Sequence, residues 1–370
     1  MELQQVKDIT INFILATPRT GSTLLASMLN THPNIISTVE EPFAYNLYPK
    51  YKNKKNWTTE TIKEFCYDFY LFSEGKLELQ FGTKKDLETI LENYKPHLTA
   101  DIAIRLIYLC FYPTKDKSQI TTIVDKQLRF HSCLKQLISF YPQSKFVILY
   151  RDPRDQSLAK FRMLERKDKH KDYYRIAHSW EFVYDKLWRL KSDIGNERFL
   201  EIKYEDFVSN TEYELKKICL FLGVMYNEIM LSSHEKFKEE FNLKKDQLSI
   251  AAQSRISLSH QGLSQKIYTD KVGFWKQGLK AEEANLIWTI CGSLAEKIGY
   301  KKDEHFIKKY ASFKNWLTFL SISKKRIMTT LYYSSPFFLK YQIKKIKYGK
   351  HFKNDDFSSE EFLKRTYNAD

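Results

Sequence analysis

Several things that would point elsewhere are missing from this sequence. Its five cysteines (Cys66, Cys110, Cys133, Cys219 and Cys291) are scattered, odd in number and never in Cys-x-x-Cys spacing. That speaks against a zinc site or a disulfide framework and for reduced, mostly buried thiols. The nine histidines show no metal-ligand spacing either, so no metal is expected. No early run of 18 apolar residues occurs, and the N-terminus lacks the basic, apolar and small-residue order of a secretory signal. A cytoplasmic protein is therefore the expectation. There is no internal repeat. The Gly-x-x-x-x-Gly-Lys-[Ser/Thr] loop of nucleotide triphosphatases is also absent.

Acidic residues are in deficit. Against 60 Lys and Arg stand 45 Asp and Glu, for a net charge of +15. Such an excess favours anionic partners. Its distribution narrows the choice, because residues 301–350 hold 13 Lys/Arg and only 2 Asp/Glu. The basic excess is largely a property of the C-terminal region, and the rest of the chain calls for no nucleic-acid partner. With 370 residues, 43% hydrophobic, the chain is long enough for one large α/β domain plus an appendage.

The most informative stretch present is Phe13-Ile14-Leu15-Ala16-Thr17-Pro18-Arg19-Thr20-Gly21-Ser22-Thr23-Leu24-Leu25. It reads as a short apolar strand, a tight turn and a helix start carrying hydroxyls. Backbone N–H groups at a helix N-terminus are unpaired and partly positive, so a phosphate or sulfate sits there readily. No Lys follows Gly21, and Arg19 precedes it. The loop suits a phosphate-bearing ligand without a magnesium-bound γ-phosphate. A second site lies roughly 130 residues on, in Lys145-Phe146-Val147-Ile148-Leu149-Tyr150-Arg151-Asp152-Pro153-Arg154-Asp155. Its apolar run reads as a buried parallel strand. Asp152 and Pro153 read as the cap and first residue of a helix. Arg151 falls at the strand's C-terminal end, where open α/β sheets bind ligands. Its planar fork can donate two parallel hydrogen bonds to a phosphate.

Pro18-Arg19-Thr20-Gly21-Ser22-Thr23-Leu24-Leu25 resembles the 5′-phosphosulfate loop of sulfotransferases that use 3′-phosphoadenosine 5′-phosphosulfate (PAPS), in particular their bacterial, carbohydrate and tyrosylprotein branches. Arg151-Asp152-Pro153-Arg154-Asp155 resembles the family's 3′-phosphate segment. The family's usual Ser eight residues after that Arg is Ala159 here. Ser157 lies two residues earlier, about 200° round a helix. Either Arg151 and Arg154 hold the phosphate with other donors or the donor preference is altered. Val124-Asp125-Lys126 is similar to the strand ending in a Lys near the transferred group. Phe199 to Phe207 is similar to the Arg-Tyr-Glu-Asp-Leu strand, with Lys203 for Arg. Val272-Gly273-Phe274-Trp275-Lys276 is similar to the late Val-Gly-Arg-Trp segment. The likeness covers about residues 10–300.

The expected fold is α/β, a P-loop-like parallel sheet flanked by helices. A sulfotransferase domain over 1–300 would carry a mostly helical acceptor-side insertion at 43–120. A basic, aromatic-rich extension at 301–370 would follow. Residues 1–8 read as a polar lead-in. Strands are expected at 9–17, 121–126, 145–151 and 199–204. Helices are expected at 21–31, 130–141, 153–168, 172–192 and 211–222. Residues 233–271 read as a long loop able to close over a ligand. The C-terminal region looks partly amphipathic. It can pack on its own domain, lie on a membrane surface as a peripheral contact at the inner face, or meet another partner.

The resemblance implies a PAPS-dependent sulfotransferase that passes a sulfuryl group to an acceptor hydroxyl and releases adenosine 3′,5′-bisphosphate. Saccharide, lipid, small metabolite and tyrosine acceptors all remain open. Glu41, or alternatively Glu40, would be the general base, with Arg19 and Lys126 stabilising charge on the leaving oxygen. Pro18, Arg19, Thr20, Gly21, Ser22, Thr23 and Leu24 would surround the 5′-phosphate. Arg151 and Ser157, with Lys271 and Gly273 from a late loop, would hold the 3′-phosphate. Trp180 and Trp275 are candidates to stack on adenine, or core residues. The carboxylates of Tyr204-Glu205-Asp206, on Glu205 and Asp206, read as structural, and His32 as a helix end. Two alternatives are a P-loop phosphotransferase, and a non-catalytic membrane- or glycan-binding protein on a decayed sulfotransferase domain.

Overall fold

The computed structural model describes residues 1–39, 43–73, 81–128, 130–166, 172–244, 261–308 and 313–348. Five strands, β1 (Thr10–Ala16), β2 (Ile35–Val39), β3 (Thr122–Lys126), β4 (Phe146–Tyr150) and β5 (Phe199–Lys203), form one sheet in the order β2-β3-β1-β4-β5. All four pairings are parallel. Both faces are covered, so the strands are apolar on both sides. Ile11, Phe13, Leu15, Phe146, Ile148 and Tyr150 join one core cluster. Ile14, Ala16, Val147 and Leu149, the alternating residues, join the other.

Among the described residues, twelve helices precede the last sheet-covering helix. They are α1 (Leu3–Asp8), α2 (Ser22–Thr31), α3 (Phe43–Tyr51), α4 (Thr59–Ser73), α5 (Lys84–Asn93), α6 (Ala100–Leu109), α7 (Leu134–Phe140), α8 (Pro153–Arg166), α9 (Tyr173–Ile194), α10 (Tyr204–Ser209), α11 (Thr211–Leu222) and α12 (Ser233–Lys244). After a single helical turn at Trp275–Gly278 come α13 (Ala281–Ile298), α14 (Phe313–Ser334) and α15 (Phe337–Tyr348). α2, α10 and α11 cover one face of the sheet. α3 to α7, α9 and α13 cover the other.

Several sequence expectations need correction. Residues 1–8 are not a plain lead-in, because α1 forms there with Val6 fully buried and Glu2 and Gln5 closing a capping box. The 130–141 segment is a short 3-10 turn at Phe130–Ser132 and then α7. The expected loop at 233–271 starts with α12 and contains a 3-10 turn at Gln261–Ser264; its central residues lie outside the described residues. α12 is polar and weakly amphipathic, which is why its sequence reads as loop.

The order of the strands decides where a ligand can bind. From β1 the chain crosses one face through α2. From the neighbouring β4 it crosses the opposite face through α8 and α9. The C-terminal ends of β1 and β4 therefore flank a topological switch point, where open α/β sheets bind ligands. Both phosphate-type motifs leave the sheet at that point.

Candidate functional site

The loop after β1 has a conformation few residues accept. Arg19 has φ 70° and Gly21 φ 91°. Arg19 and Tyr112 are the two non-glycine residues with positive φ among those described. Strain of this kind is kept where surrounding structure fixes it, often at functional sites. A side chain at Gly21 would be strained by its φ and would also collide with Tyr204, whose Cδ2 stands 2.5 Å from the position of a Cβ. The glycine thus sets both the turn and the approach of an aromatic ring. α2 begins at the next residue, aiming its unpaired N–H groups at the loop.

Below the loop, Thr20 is turned inward. Its Oγ1 donates to the Thr17 carbonyl (2.7 Å) and lies 2.9 Å from Thr17 Oγ1. The Thr20 hydroxyl, expected around a phosphate, instead braces the turn. Tyr184 of α9 completes the brace. Its hydroxyl donates to Leu149 O (2.7 Å) and accepts from Thr17 N (3.2 Å), tying β4 to the loop. Ser22 is buried at the first turn of α2, and Leu24 packs toward the core beneath.

Arg151 joins the two motifs. Its Nη1 donates to Arg19 O (2.9 Å) and its Nη2 to Lys271 O (2.7 Å). The guanidinium lies over the Tyr204 ring at 4.2 Å. Trp180 Nε1 donates to the Arg151 carbonyl (3.0 Å). Trp180 is fully buried, and Trp275 stacks on Arg154 at 4.0 Å. Both tryptophans are thus core residues, which removes them as adenine-stacking candidates. Arg154 itself is committed to a two-pronged bond with Asp152, at 3.0 Å and 2.7 Å.

Three buried side-chain atoms near Arg151 have no partner: Arg151 Nε, Gln156 Oε1 and Ser157 Oγ. Buried polar atoms are nearly always paired, so a cluster of three within seven residues calls for an outside partner. Gln156 Nε2 donates to Pro18 O (2.6 Å) and so belongs to the same site. The surroundings are cationic. Arg19 reaches the surface, yet its pKa is lowered, first by desolvation and then by repulsion from Arg166 and Arg151. A bound anion would relieve that repulsion.

The late loop is held in place by Asp155, the last residue of the Arg-Asp-Pro-Arg-Asp segment, to which the sequence assigned no role of its own. Its carboxylate accepts from Gly273 N (2.7 Å) and Trp275 N (2.8 Å). Burial is the main cause of its pKa being pushed up to about 6. Gly273 adopts φ 69° with open space where a Cβ would point. Lys271 lies beside Phe274, 5.8 Å from the ring centre. Tyr204 and Gln156 were also missed. The one available signal for Tyr204 was its place at the end of a strand neighbouring β4.

Lys126 is not a solvated strand-end lysine. It is 2% exposed, and its Nζ donates to Thr23 Oγ1 (3.3 Å) at the first turn of α2. Its neighbour Asp125 faces the other side of the sheet and accepts from Tyr108 Oη (2.6 Å) and Thr38 Oγ1 (3.3 Å). Burial pushes the Asp125 pKa up to about 7, against those hydrogen bonds. Glu40 and Glu41 lie outside the described residues; the strand that precedes them ends beside Lys126, with Val39 in register with it.

Other expectations hold. Glu205 accepts from Asp152 N and Tyr300 Oη, both at 2.9 Å, as a structural carboxylate does. His32 caps the end of α2. The five cysteines are buried and none is in a disulfide.

The model of the sulfotransferase family matches residues 12–228. The protein-tyrosine sulfotransferase of Drosophila melanogaster is 23% identical over 235 residues, covering 62% of this chain and 41% of that protein. Protein-tyrosine sulfotransferase 2 of Gallus gallus is 22% identical over 240 residues, covering 64% of this chain and 57% of the relative. The chain thus spans about half the length of these two relatives. Among solved structures, the sulfotransferase domain of the Synechococcus PCC 7002 olefin synthase superposes with a TM-score of 0.48 at 18% identity, covering 80% of this chain and 97% of that domain.

Proposed function

The chain belongs to the sulfotransferase family, and we propose that it transfers the sulfuryl group of PAPS to an acceptor hydroxyl. The acceptor oxygen forms a bond to sulfur as the bond from sulfur to the bridging oxygen breaks. The electron pair leaves with the 5′-phosphate of adenosine 3′,5′-bisphosphate. The acceptor's proton passes to Glu41, with Glu40 the alternative. The loop at Pro18–Leu24 holds the 5′-phosphate through backbone N–H groups at the start of α2. Arg19 and Lys126 offset the charge arriving on the leaving oxygen. Arg and Lys suffice for this, so a metal is not required. Arg151, Gln156 and Ser157 receive the 3′-phosphate, with Lys271 and Gly273 closing from the late loop.

The observation that carries this reading is the meeting of the two motifs. Arg151 reaches the Arg19 carbonyl across 132 residues of sequence. Beside it lie partnerless buried atoms able to take further hydrogen bonds. Five buried cysteines, none in a disulfide, suit a reducing cytoplasm. No helix among the described residues is long and apolar enough to cross a membrane.

The test is calorimetric titration with adenosine 3′,5′-bisphosphate, 5′-AMP and magnesium-ATP. Micromolar affinity that needs the 3′-phosphate and collapses in Arg151→Ala supports the reading. A preference for magnesium-ATP would move it to phosphotransfer. The acceptor is then sought with labelled PAPS.

A further inference from the structure

The C-terminal helices present two faces of opposite character. Residues 313–348 contain eight Lys and Arg and no Asp or Glu. On α14, Ile322, Arg326 and Tyr333 face the domain. Ile322 and Tyr333 are buried, the Tyr333 carbonyl accepts from Tyr45 Oη, and Arg326 lies over Phe182 at 4.2 Å. On α15 the inward residues are Phe337, Lys340, Tyr341 and Lys344. Lys340 donates to Tyr45 Oη (3.2 Å), and Phe337 packs on Phe72 at 5.4 Å. The region is therefore anchored on its own domain by one side.

The other side is apolar and uncovered. Leu317, Leu320, Ile327, Met328 and Leu331 are 46–59% exposed. At 100° per residue they share one stripe, opposite Ile322, Arg326 and Tyr333. Lys324 lies within that stripe and Lys325 on its flank, both exposed. α15 continues the pattern with exposed Phe338, Leu339, Ile343, Lys345 and Ile346. Ordinary globular surfaces scatter such residues singly; a stripe this long marks a contact surface.

We infer that this face docks on an anionic lipid surface. Apolar side chains interleaved with lysines are the pattern of a helix lying in the headgroup region. Neither helix qualifies as a span, so the contact lies on the membrane and does not cross it. A second copy of the chain fits less well. Two such segments would bring sixteen cations together with no carboxylate of their own to offset them. The complementary surface must be rich in negative charge and able to receive aliphatic side chains without a shaped pocket, and an anionic bilayer supplies both. This inference is independent of the PAPS site.

The experiment is co-sedimentation of the full chain with phosphatidylcholine vesicles, with and without phosphatidylserine. Binding to the anionic vesicles, weak binding to the neutral ones, and release by salt are expected. Lys324→Gln with Lys325→Gln should weaken binding about thirtyfold. Ile327→Ser with Leu331→Ser should weaken it as well. Both pairs are exposed, and a thermal melt checks that the fold is unaltered. Equal binding to both vesicle types, or none to either, overturns the inference. So does a dimer seen by light scattering that Ile327→Ser with Leu331→Ser abolishes, which would assign the face to a second copy.

Discussion

The cleft at the ends of β1 and β4 and the C-terminal helices are both rich in cations, but they hold them in opposite ways. In the cleft, Arg151 is 5% exposed and fixed by two loop carbonyls and the ring of Tyr204. On α14 and α15, Lys324, Lys325 and Lys345 stand on the outer surface. Similar composition therefore produces two devices. A buried, braced guanidinium offers its donors in one fixed geometry. An open row of lysines responds to the charge density of whatever lies opposite.

The sharpest way to break this contrast is at the turn that makes the cleft. Gly21→Ala forces a Cβ against Tyr204 at a backbone conformation that L residues resist. Affinity for adenosine 3′,5′-bisphosphate should fall about hundredfold, measured by calorimetry. Arg151→Lys asks whether the cleft is more than a charge field, because it keeps the charge and removes the fork. An affinity loss of about thirtyfold is expected. An unchanged affinity would make the cleft electrostatically equivalent to the C-terminal helices.

A smaller effect separates the two regions by pH. Asp125 beneath the cleft has its folded-state pKa raised to about 7 by burial, above its ordinary value. Between those two values the folded state binds a proton that the unfolded state does not. Stability should thus fall as pH rises from about 4 to about 7, as followed by thermal melts. Asp125→Asn should flatten that slope. The smallest expected effect is on the other side of the comparison. Lys324→Gln with Lys325→Gln should change adenosine 3′,5′-bisphosphate affinity by less than about twofold, since exposed, distant charges are screened. A larger change would mean that the two regions act on each other.

Much of the cleft was legible because its signals are local. A strand, a glycine turn and a helix start fall within Phe13 to Leu25, and Arg151 follows an apolar run and precedes Asp152-Pro153. What could not be read was which way side chains turn. The Thr20 hydroxyl looked available and is spent on Thr17. Lys126 was expected near the leaving oxygen, but its burial against Thr23 could not be read. Asp155 was visible in the Arg-Asp-Pro-Arg-Asp segment, yet its two bonds to the backbone of Gly273 and Trp275 join parts of the chain over a hundred residues apart. Short-range pattern carries no information about such a partner.

By itself, the sequence determined the alternation of strands and helices, the glycine turn at Gly21, the cation after β4 and the one-sided charge of residues 301–350. These follow from backbone preference, side-chain period and composition, all properties of neighbouring residues. Only the tertiary structure decided that β4 lies beside β1, so that Arg151 meets the Arg19 carbonyl. It also decided that the C-terminal helices spend one face on Tyr45, Phe72 and Phe182 and leave the other open. Both outcomes depend on which surfaces the whole chain buries together, and that is settled by the packing of the two layers around the sheet.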